Sequence, residues 1–277
     1  KLTYLKSAYY CRSAMLNETA NIMVNQLYLG DNLEVLRQLP SECVDMIYFD
    51  PPFFSNKQYP MRTDLQQVSG FDDRWQSLDH YLQWLKDRTI ELYRILKPTG
   101  TLYLHCDWHA NAYIRVQILD PLFGGKNFRN ELIWHYETGG IPQRDFARKH
   151  DTIFRYTKSQ DFYFNPEAVQ ELRSEEVLRR LATGQKNATR SKGQWRHPSD
   201  VIQIPALNAM AKERVAYPTQ KPEYLLAHLL LASTKPNDLV LDPAIGSGTT
   251  LVAAHKLQRQ YIGIDQNPTA IALTQQR

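Results

Sequence analysis

The chain has 277 residues, 43% of them hydrophobic, and a formal net charge of +4, enough to bury one α/β core with a modest inserted region. No run of about eighteen apolar residues and no secretory h-region stands in it, so neither a membrane span nor a leader is expected. Cys11, Cys43 and Cys106 show no metal-ligand spacing and no even-numbered disulfide framework, so a reducing, cytoplasmic setting and no metal are expected.

Residues 1–25 mix aromatic and polar side chains without periodicity and are expected to form an N-terminal extension. The chain begins with Lys rather than Met and its last helix reads as cut short at Arg277, so it is expected to be part of a longer protein. Gln26 to Leu29 reads as a short strand ending at Gly30-Asp31-Asn32, and the helix over Leu33 to Leu39 is capped by the Asp31-Asn32 pair. Val44 to Phe49 is an apolar strand running into Asp50-Pro51-Pro52-Phe53. Consecutive prolines fix extended geometry, so the Asp50 carboxylate and the Pro51 carbonyl are held rigidly beside the Phe53 ring. Two acceptors and an aromatic plate suit a planar base with an exocyclic amino group, turned out of its stack towards a methyl donor.

Phe54 to Gln76 is polar and without periodicity, a long loop expected to close over such a base or to touch a DNA backbone through Lys57 and Arg62. Leu78 to Leu96 carries apolar residues at helical spacing and stops at Lys97-Pro98-Thr99-Gly100. Thr101 to His105 is the next strand, with His105-Cys106-Asp107 expected to line the site, and Ala110 to Leu122 the next helix. The alternation predicts a mostly parallel sheet.

From Asn127 the texture changes. Glu131 to Tyr136 and Thr152 to Thr157 read as strands, and Thr138 to Pro142 as a loop. Residues 140–215 hold 14 Lys and Arg against 9 Asp and Glu, leaving the rest of the chain close to neutral. Arg179 to Arg196 has six basic residues and no acid, alongside Trp195 and His197. A solvated face and a phosphate-binding surface are both open readings of such a run. Glu223 to Ser233 is a helix with Leu225, Leu226, Leu229 and Leu230 facing the core.

Leu239 to Leu241 is an apolar strand, followed by a turn on Pro243, Gly246 and Gly248 and a helix from Thr249. Glycines there let a backbone approach a ligand at the strand's carboxyl end. The absence of a Gly-Lys-Ser/Thr run disfavours a nucleoside triphosphate. Tyr261 to Asp265 is a second strand ending in an acid, the place where doubly wound folds hold a ribose diol.

Three stretches, Asp50-Pro51-Pro52-Phe53, Tyr217-Pro218-Thr219-Gln220-Lys221-Pro222 and Asp242-Pro243-Ala244-Ile245-Gly246-Ser247-Gly248-Thr249-Thr250, together resemble the amino-methylating DNA methyltransferases. These use S-adenosylmethionine on adenine N6 or cytosine N4, and the catalytic motif standing first resembles their permuted β group. The resemblance implies an α/β, doubly wound, mostly parallel Rossmann-like sheet with an inserted DNA target-recognition region. It divides the chain into an extension (1–25), a catalytic domain (26–125 and 215–277) and an insert (126–214).

The resemblance also assigns roles. Asp50, Pro51, Pro52 and Phe53 are catalytic, Phe53 replacing the more usual tyrosine. Cofactor contacts fall on Asp31, which reads equally as a helix cap, on Thr219 and Lys221, and on Asp242, Pro243, Ala244, Gly246, Ser247, Gly248, Thr249, Thr250 and Asp265. Arg144, Arg148, Lys149, Arg190, Lys192 and Arg196 join Lys57 and Arg62 as DNA contacts. Double-stranded DNA is the implied partner; the family also admits a homodimer and a cognate restriction endonuclease. Adenine is favoured over cytosine because Asp50 stands where cytosine N4 enzymes more often carry Ser. An RNA or protein methyltransferase and a non-catalytic DNA-binding subunit stay open. A cytosine C5 enzyme does not fit, since no cysteine follows a proline.

Overall fold

The computed structural model describes residues 16–17, 22–62, 67–183, 193–208, 210–215 and 217–277. A short ribbon, β1 (Leu16–Asn17) against β2 (Ile22–Met23), precedes β3 (Gln26–Leu29). Ile22 and Val24 are already buried in the core, so the packed domain begins before the expected end of the extension. Helix α1 (Asn32–Leu36) and β4 (Val44–Phe49) follow as expected. Within the expected loop, β5 (Gln58–Arg62) and β6 (Gln67–Asp72) form an antiparallel hairpin. Tyr59 stacks on Phe71 at 4.7 Å. A hairpin of this kind is made by pairing between its two strands, which apolar periodicity along one segment does not report.

Helix α2 (Leu78–Ile95) is capped by the Ser77 hydroxyl and passes straight into β7 (Leu96–Cys106). The expected helix over Ala110 to Leu122 is a composite of α3 (Asn111–Ile114), a π-helical turn (Arg115–Leu119) and α4 (Asp120–Phe123). Then come β8 (Phe128–His135), β9 (His150–Thr157), β10 (Glu171–Leu172), α5 (Glu175–Ala182), β11 (Trp195–Arg196) and β12 (Val201–Gln203). The chain closes with α6 (Glu223–Ser233), β13 (Leu239–Asp242), α7 (Thr249–Lys256), β14 (Gln260–Asp265) and α8 (Pro268–Gln276).

The central sheet has eight strands in the order β12-β8-β9-β7-β4-β13-β14-β3. Only β9 runs against the others. From Met46 on, β4 alternates: Ile47 and Phe49, with Val44 before a register shift, join the core under α1, α2 and the composite helix, while Met46 and Tyr48 join the core under α6 and α7. Burial on both faces explains why these strands read as apolar runs. Three strands from the expected insert, 126–214, pair into the central sheet. β8, β9 and β12 all belong to it, and Thr152 to Thr157 is buried throughout, as an interior strand must be. Among the described residues, no helix is long and apolar enough to cross a membrane.

Candidate active site

The carboxyl ends of β4, β13 and β14 deliver Asp50, Asp242 and Asp265 to one cavity of about 220 Å³. Every residue expected for catalysis or cofactor binding lines it except Gly248. Parallel strands place their C-terminal ends and the following turns at one edge, where a crevice forms. Tyr59 and Phe71 of the hairpin, Trp75 and Trp84 add an aromatic wall that sequence reading left unassigned.

The glycine turn is held from several sides. Gly246 and Gly248 have φ of +51° and +76°, and a Cβ on Gly246 would come 2.9 Å from the Tyr217 ring. A Cβ on Gly248 would collide with Thr274, so this glycine serves close packing against α8 behind the cavity wall. Gly246 N donates to Asp265 Oδ2 at 2.9 Å and Asn267 N to Asp265 Oδ1 at 2.8 Å. Ala244 N donates to Asp242 Oδ1 at 3.0 Å. Burial pushes the Asp242 carboxyl up to about 7 and raises Asp265 as well. Asn32 Nδ2 reaches across to Pro243 O at 2.9 Å. Asp31 both caps α1, accepting from Leu33 N at 2.8 Å, and pairs with Arg88 at 2.7 Å. Ser247 and Thr249 share their hydroxyls at 2.9 Å, and Arg277 donates to Ser247 O at 2.8 Å.

The turn after β4 is over-determined. Asp73, 1% exposed at the end of the hairpin, accepts from Phe53 N, Phe54 N and Ser55 N at 3.3, 3.0 and 2.7 Å. Trp75 Nε1 donates to the same carboxylate at 2.9 Å, and Tyr81 OH donates to Pro52 O at 2.8 Å. Prolines alone were expected to stiffen this turn; a buried carboxylate twenty residues away does as much. A lone Asp in a polar stretch carried no signal of that role.

Asp50 is engaged on one side only. Lys221 Nζ donates to Oδ2 at 2.5 Å, while Oδ1 is buried with no hydrogen-bond partner among the described residues. Lys221, expected at the cofactor, therefore touches the carboxylate directly and sits 5.1 Å from the Phe53 ring centroid. Thr219 lines the cavity with φ +61°, an uncommon conformation for a β-branched residue.

His105 does not line the cavity as expected. It is fully buried behind it, its ring 5.4 Å from Phe53 and 5.7 Å from Trp134 between centroids. Its Nδ1 bonds Tyr48 OH at 2.7 Å and lies 3.8 Å from Asp50 Oδ1; its Nε2 bonds Asp151 Oδ2 at 3.2 Å. Tyr136 OH completes the chain on Asp151 Oδ1 at 2.9 Å. Burial pushes Asp151 up, and His105, Lys221 and Tyr136 more than offset it, leaving the carboxyl below its usual range. Neighbouring Cys106 is buried, which drives its thiol well above the ordinary range and disqualifies it as a nucleophile.

The expected DNA contacts scatter. Lys57, Arg144 and Arg148 are exposed. Arg148 lies over the Trp108 ring at 4.1 Å. Lys149 is committed to the carbonyls of Glu137, Thr138 and Gly139 at 2.9, 3.2 and 3.3 Å, stapling its loop. Arg196 pairs with Glu171 at 2.5 Å. Arg62 belongs to β5 by its backbone; its side chain, and Arg190 and Lys192 entirely, lie outside the described residues.

A family model described as a DNA methylase (N6_N4_Mtase) matches residues 44–276. The chain is 30% identical to Type II methyltransferase M.HinfI of Haemophilus influenzae, over 95% of this chain and 70% of that one. It is 29% identical to DNA adenine methyltransferase YhdJ of Escherichia coli K12, over 88% and 79%. Among solved structures, the cytosine-N4-specific PvuII DNA methyltransferase has the same fold, with a TM-score of 0.66 and 18% identity over 90% of this chain and 84% of that one. So does the DNA modification methylase TTHA0409 of Thermus thermophilus in complex with S-adenosyl-L-methionine, with a TM-score of 0.59 and 21% identity over 91% of each.

Proposed function

From the premise that the chain belongs to the S-adenosylmethionine-dependent DNA amino-methyltransferases, we propose that it methylates the exocyclic N6 of adenine in duplex DNA after turning the base out of the helix. The observation that carries this reading is the Asp50 carboxylate, which lines the cavity with Phe53, is fixed by Lys221 through Oδ2, and has no hydrogen-bond partner for its buried Oδ1 among the described residues. A buried acceptor without a donor is costly, and an incoming amino group would satisfy it.

The cofactor fits the residues present. Gly246, at φ +51°, lets the turn after β13 bend along the cavity wall, and Asp242 and Asp265 hold buried carboxyls whose ionised forms a cationic ligand would favour. Asp31, Thr219, the 242–250 turn and Asp265 are the residues proposed to hold it. When bound, S-adenosylmethionine supplies a methyl group already activated on its sulfonium.

The chain's own part is positioning. Phe53 gives the target base a face to stack on, and the aromatic wall around it keeps water out. Asp50 Oδ1 and the Pro51 carbonyl accept from the exocyclic amino group, drawing the nitrogen towards tetrahedral geometry and aiming its lone pair. After transfer the nitrogen must lose a proton, and Asp50 Oδ1 is the nearest base on this chain. Lys221 fixes the carboxylate's orientation, with His105 and Asp151 behind it. Asp50, in place of Ser, favours adenine over cytosine.

Labelled methyl transfer to unmethylated bacterial DNA, followed by nucleoside analysis, tests the reading. N6-methyladenine that disappears with Asp50→Ala supports it; N4-methylcytosine keeps the machinery and reverses the base. Cofactor binding without DNA methylation would sink it. M.HinfI is named a Type II methyltransferase, and a cognate endonuclease beside this chain is the matching expectation. Dimerisation is tested by sedimentation.

A further inference from the structure

The loop between β8 and β9 leaves the sheet at His135 and returns at His150. Its base is tied to the buried side chains behind Asp50. Tyr136 N donates to Lys149 O at 2.9 Å, the Lys149 ammonium ties down three loop carbonyls, and Asp151, the next residue but one, bonds His105 behind Asp50. Arg148 lies over Trp108, which follows the end of β7. Its tip is another matter. Phe146 is 98% exposed and Ile141 92% exposed. Of the large apolar side chains described, only Met210 matches them, at 91%. Single exposed apolar residues are ordinary; two on one tethered loop, with Arg144 and Arg148 between and beside them, are not.

A base that swings into the cavity leaves a gap in the duplex, and unstacking its neighbours is unfavourable unless something fills the gap. An apolar side chain with cationic neighbours on the flanking phosphates suits that gap. Phe146 is free of packing on its own protein, so nothing is lost when it enters the stack.

We propose that Phe146 is an intercalating wedge: it enters the base stack where the target base has left, with Ile141 beside it in the groove and Arg144 and Arg148 on the adjacent phosphates. The partner surface is duplex DNA with one base extruded. This rests on the reading of the chain as a base-flipping DNA methyltransferase.

The test uses the site that the wild-type chain modifies in bulk DNA, mapped and rebuilt as a short duplex. Single-turnover methyl transfer is measured on the fully paired duplex and on one whose target base faces an abasic residue, where no partner opposes extrusion. Phe146→Ala is expected to slow transfer roughly tenfold or more on the paired duplex and within about threefold on the abasic one; Phe146→Leu is expected to keep most of the wild-type rate. Equal slowing on both duplexes, or none on either, overturns the wedge while leaving the function intact. A wild-type chain that methylates no DNA overturns the function and the wedge with it.

Discussion

The turn at Asp50 and the loop at Phe146 stand at the same end of the same sheet and are built in opposite ways. The first is half-buried, follows a strand packed on both faces, and has its backbone held by Asp73, Tyr81 and two prolines. The second is pinned only at its root, with its largest apolar side chain in solvent. Chemistry that must aim a lone pair within a fraction of an ångström needs the first construction. Recognition of a partner that itself deforms is served by the second, where side chains order on contact.

Breaking the rigid region has the largest expected effect. Asp50→Ala removes the acceptor, and kcat should fall by about 1,000-fold with cofactor affinity little changed, read by single-turnover transfer and by isothermal titration. Asp73→Ala leaves three backbone N–H groups without their acceptor. It should cost about 3 kcal/mol of stability and lower kcat by roughly 100-fold; a full-rate variant would show that the prolines suffice. His105→Gln and Asp151→Asn act one step further back, through Asp50. Each should lower kcat by about tenfold, leave both KM values within about threefold, and add little to the other in the double variant. Changes confined to KM would make the buried network mere scaffolding.

Asp242 sharpens the contrast through pH. Its carboxyl is raised by burial to about 7, so folding takes up a proton. That stability is fully present below the ordinary carboxylate pKa near 4 and is lost as pH rises through about 7, by on the order of a few kcal/mol. Thermal unfolding of the cofactor-free chain should show it, and Asp242→Asn should flatten the slope. The smallest effect belongs to the exposed loop's charges: Arg144→Ala should weaken DNA binding a few-fold and reduce the salt slope by about one, uniformly across sequences.

Much of this was legible along the chain. Asp-Pro-Pro-Phe after a strand, the glycine turn and the acid ending the next strand are local signals, and each landed on the cavity wall. Lys221 was legible as a site residue but not as the partner of Asp50, since 171 positions separate them. Asp73 and Asp151 gave no signal at all. Each is one acid in a polar neighbourhood, and its meaning comes from the backbone amides or imidazole that folding brings to it. The hairpin β5–β6 was missed for a related reason: a polar stretch is read residue by residue, whereas a strand there depends on its partner strand.

The order of the strand-turn-helix units was legible in the sequence because apolar periodicity, prolines and glycines act over a few residues, and three motifs carried the family and the cofactor by resemblance. Tertiary structure alone decided which carboxylates are paired, which oxygen of Asp50 is left free, that His105 stands behind the wall, and that Phe146 faces solvent. Burial and hydrogen bonding are properties of contacts between distant segments, and these exist only once the sheet has closed.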